Sequence, residues 1–492
     1  MKNKILFINP PLSQDSRVKF PNHQFPLGFL YMAGILEKNN FLVKILDCPL
    51  FYKKKVRVDE NTIRFGISKK EIEKVVKEFK PDIIGVSCSF SMYESDSFDV
   101  IDFIKEINKN IIIVVGGAHS SSNPRFVLRN KNIDFVVIGE GELTMLETAQ
   151  RIRSNKNRIN IKGTAFFKGE KFILNKPREC IADLDDLDLS WHLIDFNKYF
   201  EHPDNSSVTI RKPSVTIISS RGCPGNCVFC SVHTVWGRKW RAISAKKVVN
   251  QIEFLYKKYK IKHFRINDDN LTLNKERIME ICREIVKRGI DIKWDTPSGV
   301  ALWTLDEEVL DNMKKSGYYR ITFGIESGSK KTLKYIGKNI DFDKTKKLIQ
   351  YCHKIGLWVA SFFIIGFPYE RLEDIKETEK YIIESKINFP FLFIAQPYQG
   401  TKMYHDFLKE GLMDGFLNIS NSTITQYNTK YFTARELNNF RRGVYKNFYI
   451  SKIKDYTIFS NFYREFLSKI KKPEDIRYVI KIIKSMLINL VY

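Results

Sequence analysis

Short apolar, β-branched runs alternate with stretches of helical period along most of this chain, and that alternation leaves few folds open to it. In the first third the runs are 4–9 (KILFIN), 41–46, 82–87, 111–115 and 135–138. The clearest helix patterns there are 27–38 (LGFLYMAGILEK) and 96–108. Parallel neighbours in a sheet need a crossover, so strand and helix in turn predict an α/β, doubly wound parallel sheet. Ligands of such sheets sit beyond the carboxyl ends of the strands. Those ends are small and polar: Asn9, Ser87, Ser89, Gly116 with Gly117, and Gly139 with Gly141. Glycine lets the backbone come close to a bulky ligand. No G-x-G-x-x-G fingerprint is present, so the residues alone point to a groove for a nucleotide- or cofactor-sized ligand.

From residue 214 the alternation resumes. Strand-like runs at 215–218, 263–266, 292–295, 320–324, 359–365 and 392–396 are separated by helix patterns such as 245–259, 275–288, 306–316 and 342–355. Six βα units make most of a barrel, whose chemistry belongs at the carboxyl ends of its strands. Asn267 to Asn270, Ser298, 324–328, 366–368 and 396–401 occupy those ends. The stretch 151–213 has weak periodicity and the acids Asp183, Asp185, Asp186 and Asp188, and is expected to be a linker with a solvated acidic strip. The expected domains are therefore 1–150, a linker 151–213, a barrel domain 214–402, and a helical, basic extension 403–492.

Directly after the run 215–218 comes S-S-R-G-C-P-G-N-C-V-F-C-S, which sets Cys223, Cys227 and Cys230 in a C-x3-C-x2-C array. Three soft thiolates on one loop suit an iron–sulfur cluster. A structural zinc site normally takes four protein ligands, and no fourth cysteine is near, although His233 keeps zinc open. Cys48, Cys88, Cys180, Cys282 and Cys352 are scattered and read as small buried residues of a chain kept in a reducing compartment. Asp268 and Asp269 taken alone would be read as a turn or a helix cap.

The cysteine array resembles the radical S-adenosylmethionine (SAM) enzymes, with Phe229 at the aromatic position before the last cysteine. The series I-N-P-P, F-P-L-G-F-L-Y-M-A, D-I-I-G-V-S, V-G-G-A-H and G-E-G-E resembles the Rossmann-like cobalamin-binding domain of the cobalamin-dependent members. The resemblance implies a 4Fe-4S cluster on Cys223, Cys227 and Cys230, with one iron left for SAM. It implies that Asp268 and Asp269 meet the amino group of SAM, that Glu326 and Ser327 lie on the ribose- and carboxylate-contacting strand, and that 364–368 packs under adenine. Arg241 would contact SAM or cobalamin, or cap the barrel. The strand ends Asn9, Ser87, Ser89, Gly116, Gly117, Gly139 and Gly141 would face cobalamin. The D-x-H-x-x-G motif that supplies a cobalt ligand in related domains is absent, and His119 and His23 are expected at surface or turn positions. The implied reaction is methylation of an unactivated carbon, by hydrogen abstraction with a 5′-deoxyadenosyl radical and methyl transfer from methylcobalamin. Alternatives are a non-methylating cobalamin-dependent oxidase or cyclase, and a tRNA-modifying methylthiotransferase. The latter carries a second cysteine trio where this chain has only Cys48 and Cys88. No catalytic side chain is singled out.

The net charge of +25 is concentrated toward the end, with 14 Lys and Arg against 5 Asp and Glu in 430–492. No RNA-binding signature accompanies it, so nucleic acid is not the expected partner. The expected partners are a small-molecule or peptide substrate and an external flavodoxin- or ferredoxin-type electron donor. No apolar run is long enough to span a bilayer and the amino terminus has no signal-peptide pattern, so the expected location is the cytoplasm.

Overall fold

The computed structural model describes residues 3–21, 23–203, 209–415 and 425–491, with side chains to 482. It divides into two units, Met1–Asn205 with Ser231–Lys239, and Ser206–Cys230 with Trp240–Tyr492.

In the first unit the strands Lys4–Asn9, Leu42–Asp47, Ile83–Ser87, Ile112–Gly116 and Phe135–Val137 form the expected parallel sheet. Numbered along the chain, their spatial order is 2-1-3-4-5. Alternate residues feed opposite faces: Leu6 and Ile8 enter one apolar cluster and Ile5 and Phe7 the other. Both faces are covered by helices, which explains why these runs are continuously apolar rather than alternating. The order reverses between the strands ending at Asn9 and at Ser87, and such a switch point opens a crevice at the carboxyl edge.

Part of 151–213, expected as linker, is instead built into this unit. Thr164–Lys168 and Lys171–Leu174 pair antiparallel and extend the sheet beyond Phe135–Val137. Helix Phe196–Glu201 brings Tyr199 down to Asp47, and Phe25 stacks on Tyr199 with ring centroids 4.5 Å apart. The acidic strip is partly engaged: Asp188 pairs with Lys38 on an exposed surface. A small antiparallel sheet, Leu12–Asp15 with Thr62–Phe65 and Lys55–Arg57, also had no clear signal in its short polar sequence.

In the second unit Ser214–Ile217, His263–Ile266, Lys293–Asp295, Tyr318–Glu326, Trp358–Ile365 and Phe389–Ile394 lie side by side in chain order, all parallel. This is the expected six-stranded partial barrel, and it leaves an edge at Phe389–Ile394. Helix Ala434–Tyr456 covers that edge: Leu392 N donates to Tyr445 Oη at 3.0 Å and Arg441 Nε donates to Leu392 O at 3.0 Å. Side chains thus satisfy backbone groups that would otherwise offer a template for another strand. Among the described residues no helix is long and apolar enough to cross a membrane. Cys48, Cys88, Cys282 and Cys352 are buried as expected, whereas Cys180 is exposed, because its segment runs over the surface rather than through a core.

Gly34 shows how closely 184–202 is packed on the first unit. A Cβ there would stand 2.1 Å from the carbonyl oxygen of Asp188. Gly34→Ala should therefore lower the unfolding free energy by about 1–3 kcal/mol, read as a lower urea midpoint at unchanged slope.

Candidate functional site

The cysteine loop leaves the two-residue strand Ser220–Arg221 through Gly222, whose φ of +84° turns the chain at once. Its backbone is pinned inside the second unit: Val228 N donates to Ile336 O at 3.0 Å, and Met403 N donates to Val228 O at 2.9 Å. Val228 and Phe229 pack into an apolar cluster with Ile336, Phe367 and Phe407, and the rings of Phe229 and Phe367 are 6.3 Å apart. Cys223, Cys227 and Cys230 are half-buried. A Cβ on Gly225 would lie 3.4 Å from Cys223 Sγ and 3.9 Å from Cys227 Sγ, so two thiols flank a residue that carries no side chain.

Among the described residues no three His, Cys, Asp or Glu side chains, the three cysteines included, are gathered into a ready metal site. The donor set itself, three thiols on one pinned loop with no fourth cysteine near them in sequence, fits an iron–sulfur cluster with an open iron.

Beside this loop lies an ion pair. Glu326 ends strand Tyr318–Glu326 with a φ of +71°, after a register shift between Gly324 and Glu326. Left-handed backbone at a non-glycine residue is strained and persists where the surroundings hold it. Lys338 is the clamp: its Nζ donates to Glu326 Oε1 at 2.7 Å and to Gly324 O at 2.9 Å. Burial alone would push the Lys338 pKa down, but Glu326, Cys227 and Cys230 outweigh it and the net direction is upward. Burial also holds the Cys227 thiol above its usual range, with Lys338 opposing and Glu326 and Cys223 adding to the rise. Lys338 had no signal in the sequence beyond Gly337, which ends helix Lys330–Ile336 in a left-handed turn.

The remaining expected SAM contacts separate. Asp268 is 1% exposed, accepting from Ser219 N, Ser219 Oγ and Ser220 Oγ at 2.6 Å each; it anchors the start of the cysteine loop. Asp269 remains partly accessible. Burial, reinforced by Asp268, pushes its carboxyl up to about 7 against the Gly222 N–H. Ser327 is fully buried and its hydroxyl is taken up by Thr378 at 2.9 Å. Arg241 is buried where Arg241–Ala242 pairs with Ser220–Arg221. Glu370, a residue without sequence signal, accepts from Gly366 N at 2.6 Å and Thr332 Oγ1 at 3.2 Å, holding the turn after strand Trp358–Ile365.

In the first unit Ser87 and Ser89 sit half-buried at the switch point with their hydroxyls 3.1 Å apart. Asn9 turns aside and donates to Asp47 at 2.8 Å. A Cβ on Gly116 would meet only Val137 at 3.9 Å, and one on Gly139 only Val235 O at 3.4 Å, so both leave space. Gly117 and Gly141 answer internal needs: a Cβ would stand 2.8 Å from the Cys88 backbone in one case and 2.9 Å from Met32 Sδ in the other. His23 and His119 are not at the surface. Both are buried against carboxylates, His23 Nε2 at 2.8 Å from Asp47 and His119 between Glu94 at 2.7 Å and Ser91 at 2.9 Å. These contacts reward burial that sequence could not reveal.

Family comparisons agree with this geometry. The model of the B12 binding domain matches residues 16–149, and that of the radical SAM superfamily matches 217–382. The cytidylyl-2-hydroxyethylphosphonate methyltransferase of Streptomyces wedmorensis is 32% identical, over 84% of this chain and 83% of its own. The chain belongs to the cobalamin-dependent radical SAM methyltransferases. An uncharacterized methyltransferase of Pyrococcus horikoshii is also 32% identical, over 91% of this chain and 92% of its own. Among solved structures, the cobalamin-dependent SAM radical enzyme OxsB shares the fold, with a TM-score of 0.72 at 18% identity over 99% of this chain and 72% of that one. The cofactors of this methyltransferase family are a 4Fe-4S cluster, SAM and cobalamin.

Burial, with Asp374 adding, pushes the Glu370 carboxyl up to about 8 from its ordinary 4.5, against the Gly366 and Phe367 N–H groups. The native state thus keeps a proton that the unfolded chain has released, so this contribution is full below about pH 4.5 and lost as pH rises through about 8. Glu370→Gln should flatten the decline in unfolding free energy over that window, measured by urea titration at several pH values.

Proposed function

We propose that this methyltransferase methylates an unactivated carbon of a small-molecule or peptide substrate, in a reducing cytoplasm, with electrons from a flavodoxin- or ferredoxin-type donor. The observation that carries the reading is the Glu326–Lys338 pair lodged beside Cys227 at the carboxyl end of a parallel strand. SAM brings an amino acid moiety with one cation and one anion, and a fixed carboxylate beside a fixed ammonium is its complement.

In this reading Cys223, Cys227 and Cys230 hold the cluster. Lys338 takes the carboxylate of SAM, while Glu326 and Asp269 take its amine and ribose hydroxyls. Phe229 and Phe367 supply the apolar wall for adenine, and Glu370 keeps the Gly366–Phe367 turn in place. In the first unit Ser87, Ser89, Gly116 and Gly139 accept the corrinoid. His119 spends both ring nitrogens inside the fold, Nε2 on Glu94 and Nδ1 on Ser91, and so does not ligate cobalt in this reading. When bound, the three cofactors supply one-electron reduction, radical generation and the methyl group. The protein holds them, orients the substrate and excludes water.

Two measurements test this. The wild-type enzyme should form S-adenosylhomocysteine and 5′-deoxyadenosine in about equal amounts, one SAM being spent on each task. 5′-Deoxyadenosine alone, alongside an oxidised or cyclised product, would assign the non-methylating chemistry instead. Cys227→Ala prepared without oxygen should lack iron and sulfide, whereas Cys352→Ala, at a buried site remote from the loop in sequence, should retain both.

Because the protein leaves room beside Gly116, Gly116→Val probes the ligand and not the fold. It should weaken cobalamin retention by about ten- to a hundred-fold, the scale of overpacking, with an unchanged thermal midpoint. Absorbance of the bound corrinoid reads the result directly.

A further inference from the structure

The long helix Ala434–Tyr456 uses one face, Leu437, Arg441, Val444, Tyr445 and Phe448, to cover the barrel edge. The opposite face carries Arg442, Lys446, Ile450, Ile453 and Lys454, all exposed. Arg442, Lys446, Ile450 and Ile453 recur four or three apart and so share one side of the helix, with Lys454 at its margin. Past the end of this helix Ile458 is also exposed, and in helix Phe459–Glu465 the exposed Phe459 and Tyr463 stand one turn apart with ring centroids at 6.3 Å. Exposure is high for apolar side chains: 68% for Ile453, 69% for Phe459, 56% for Ile458 and 55% for Tyr463. Several large apolar side chains this exposed within one short stretch of a folded protein mark a place where something binds.

Charge says what binds. Every exposed charged residue from 442 to 464 is basic: Arg442, Lys446, Lys454 and Arg464. The acids of the same stretch are paired: Asp455, partly exposed, with Lys386 at 2.6 Å, and the neighbouring Glu465, buried, with Lys452 at 2.7 Å. Arg464 shares the buried Glu465 carboxylate with Lys452, at 3.9 Å, so the positive charge that goes with the apolar side chains on this face is that of Arg442, Lys446 and Lys454.

We propose that this face docks on an anionic lipid bilayer, with the two helices lying along its surface. Isoleucine and phenylalanine would enter the boundary between headgroups and acyl chains, and the basic residues would meet lipid phosphates. The chain would then be a peripheral protein, with no spanning helix required. A second copy of the chain is a poorer occupant, since two such faces would bring like charges together. Nucleic acid is also poorer: isoleucine offers no plane on which bases stack, and the protruding side chains are mostly aliphatic.

The test uses the full-length protein with its cofactors and vesicles of phosphatidylcholine alone, or of phosphatidylcholine and phosphatidylglycerol at about two to one. Co-sedimentation should occur with the mixed vesicles only, and weaken as salt rises from about 0.1 to 1 M. The double variant Ile453→Asp, Phe459→Asp should abolish it. Lys446→Ala and Lys454→Ala should each lower the partition coefficient about five-fold. All are exposed positions, so iron content, corrinoid absorbance and thermal midpoint should not change. Binding that ignores phosphatidylglycerol, or that survives both sets of variants, overturns the proposal. So does finding that the same variants abolish a tRNA complex or a dimer in sedimentation velocity while vesicles are not bound.

Discussion

A loop that presents three thiols cannot bury itself, so something else must hold it still. Here the clamp has two halves. Backbone hydrogen bonds from Ile336 and Met403 grip Val228 from either side, and Val228 and Phe229 are driven into the cluster around Phe367 and Phe407. The thiols stay at the surface of that cluster because their immediate neighbours Pro224, Gly225 and Asn226 have little to bury. Asp268 completes the arrangement at the base of the loop by spending its carboxylate on Ser219 and Ser220. Buried polar atoms need partners, and three converging donors make this one rigid.

The strain at Glu326 follows from the same need. A register shift at Gly324 turns the strand end so that the carboxylate stands beside Cys227, and Lys338 holds it there. An uncompensated carboxylate at that depth would be costly, and so would an isolated ammonium. The two charges are tolerated at that depth because each compensates the other.

The two units solve different edge problems with related means. The first extends its parallel sheet by an antiparallel hairpin and packs 184–202 around Asp47, where His23, Tyr199 and Asn9 all converge. Burial alone would raise the pKa of Asp47, and these partners outweigh it and hold it low. The second unit leaves its sixth strand open and closes it with Arg441 and Tyr445 of a helix. That same helix keeps Ile450 and Ile453 exposed on its outer face.

The sequence by itself determined the architecture and singled out the candidate cluster ligands. Parallel strands buried on both faces must be continuously apolar, so Lys4–Asn9 and its neighbours declared themselves, and three cysteines on one loop need no tertiary information to be recognised. What remained hidden depended on contacts distant in sequence. Tyr199 reaches Asp47 across 152 positions and Tyr445 reaches Leu392 across 53, and neither tyrosine differs locally from any other. Asp268 and Asp269 are adjacent and chemically identical, yet one is consumed by the fold and the other left toward the site. Lys338 lies in a chain with 81 Lys and Arg, and only the turn at Gly337 makes it the one that meets Glu326. Composition fixes which groups exist, and long-range packing fixes which of them remain available.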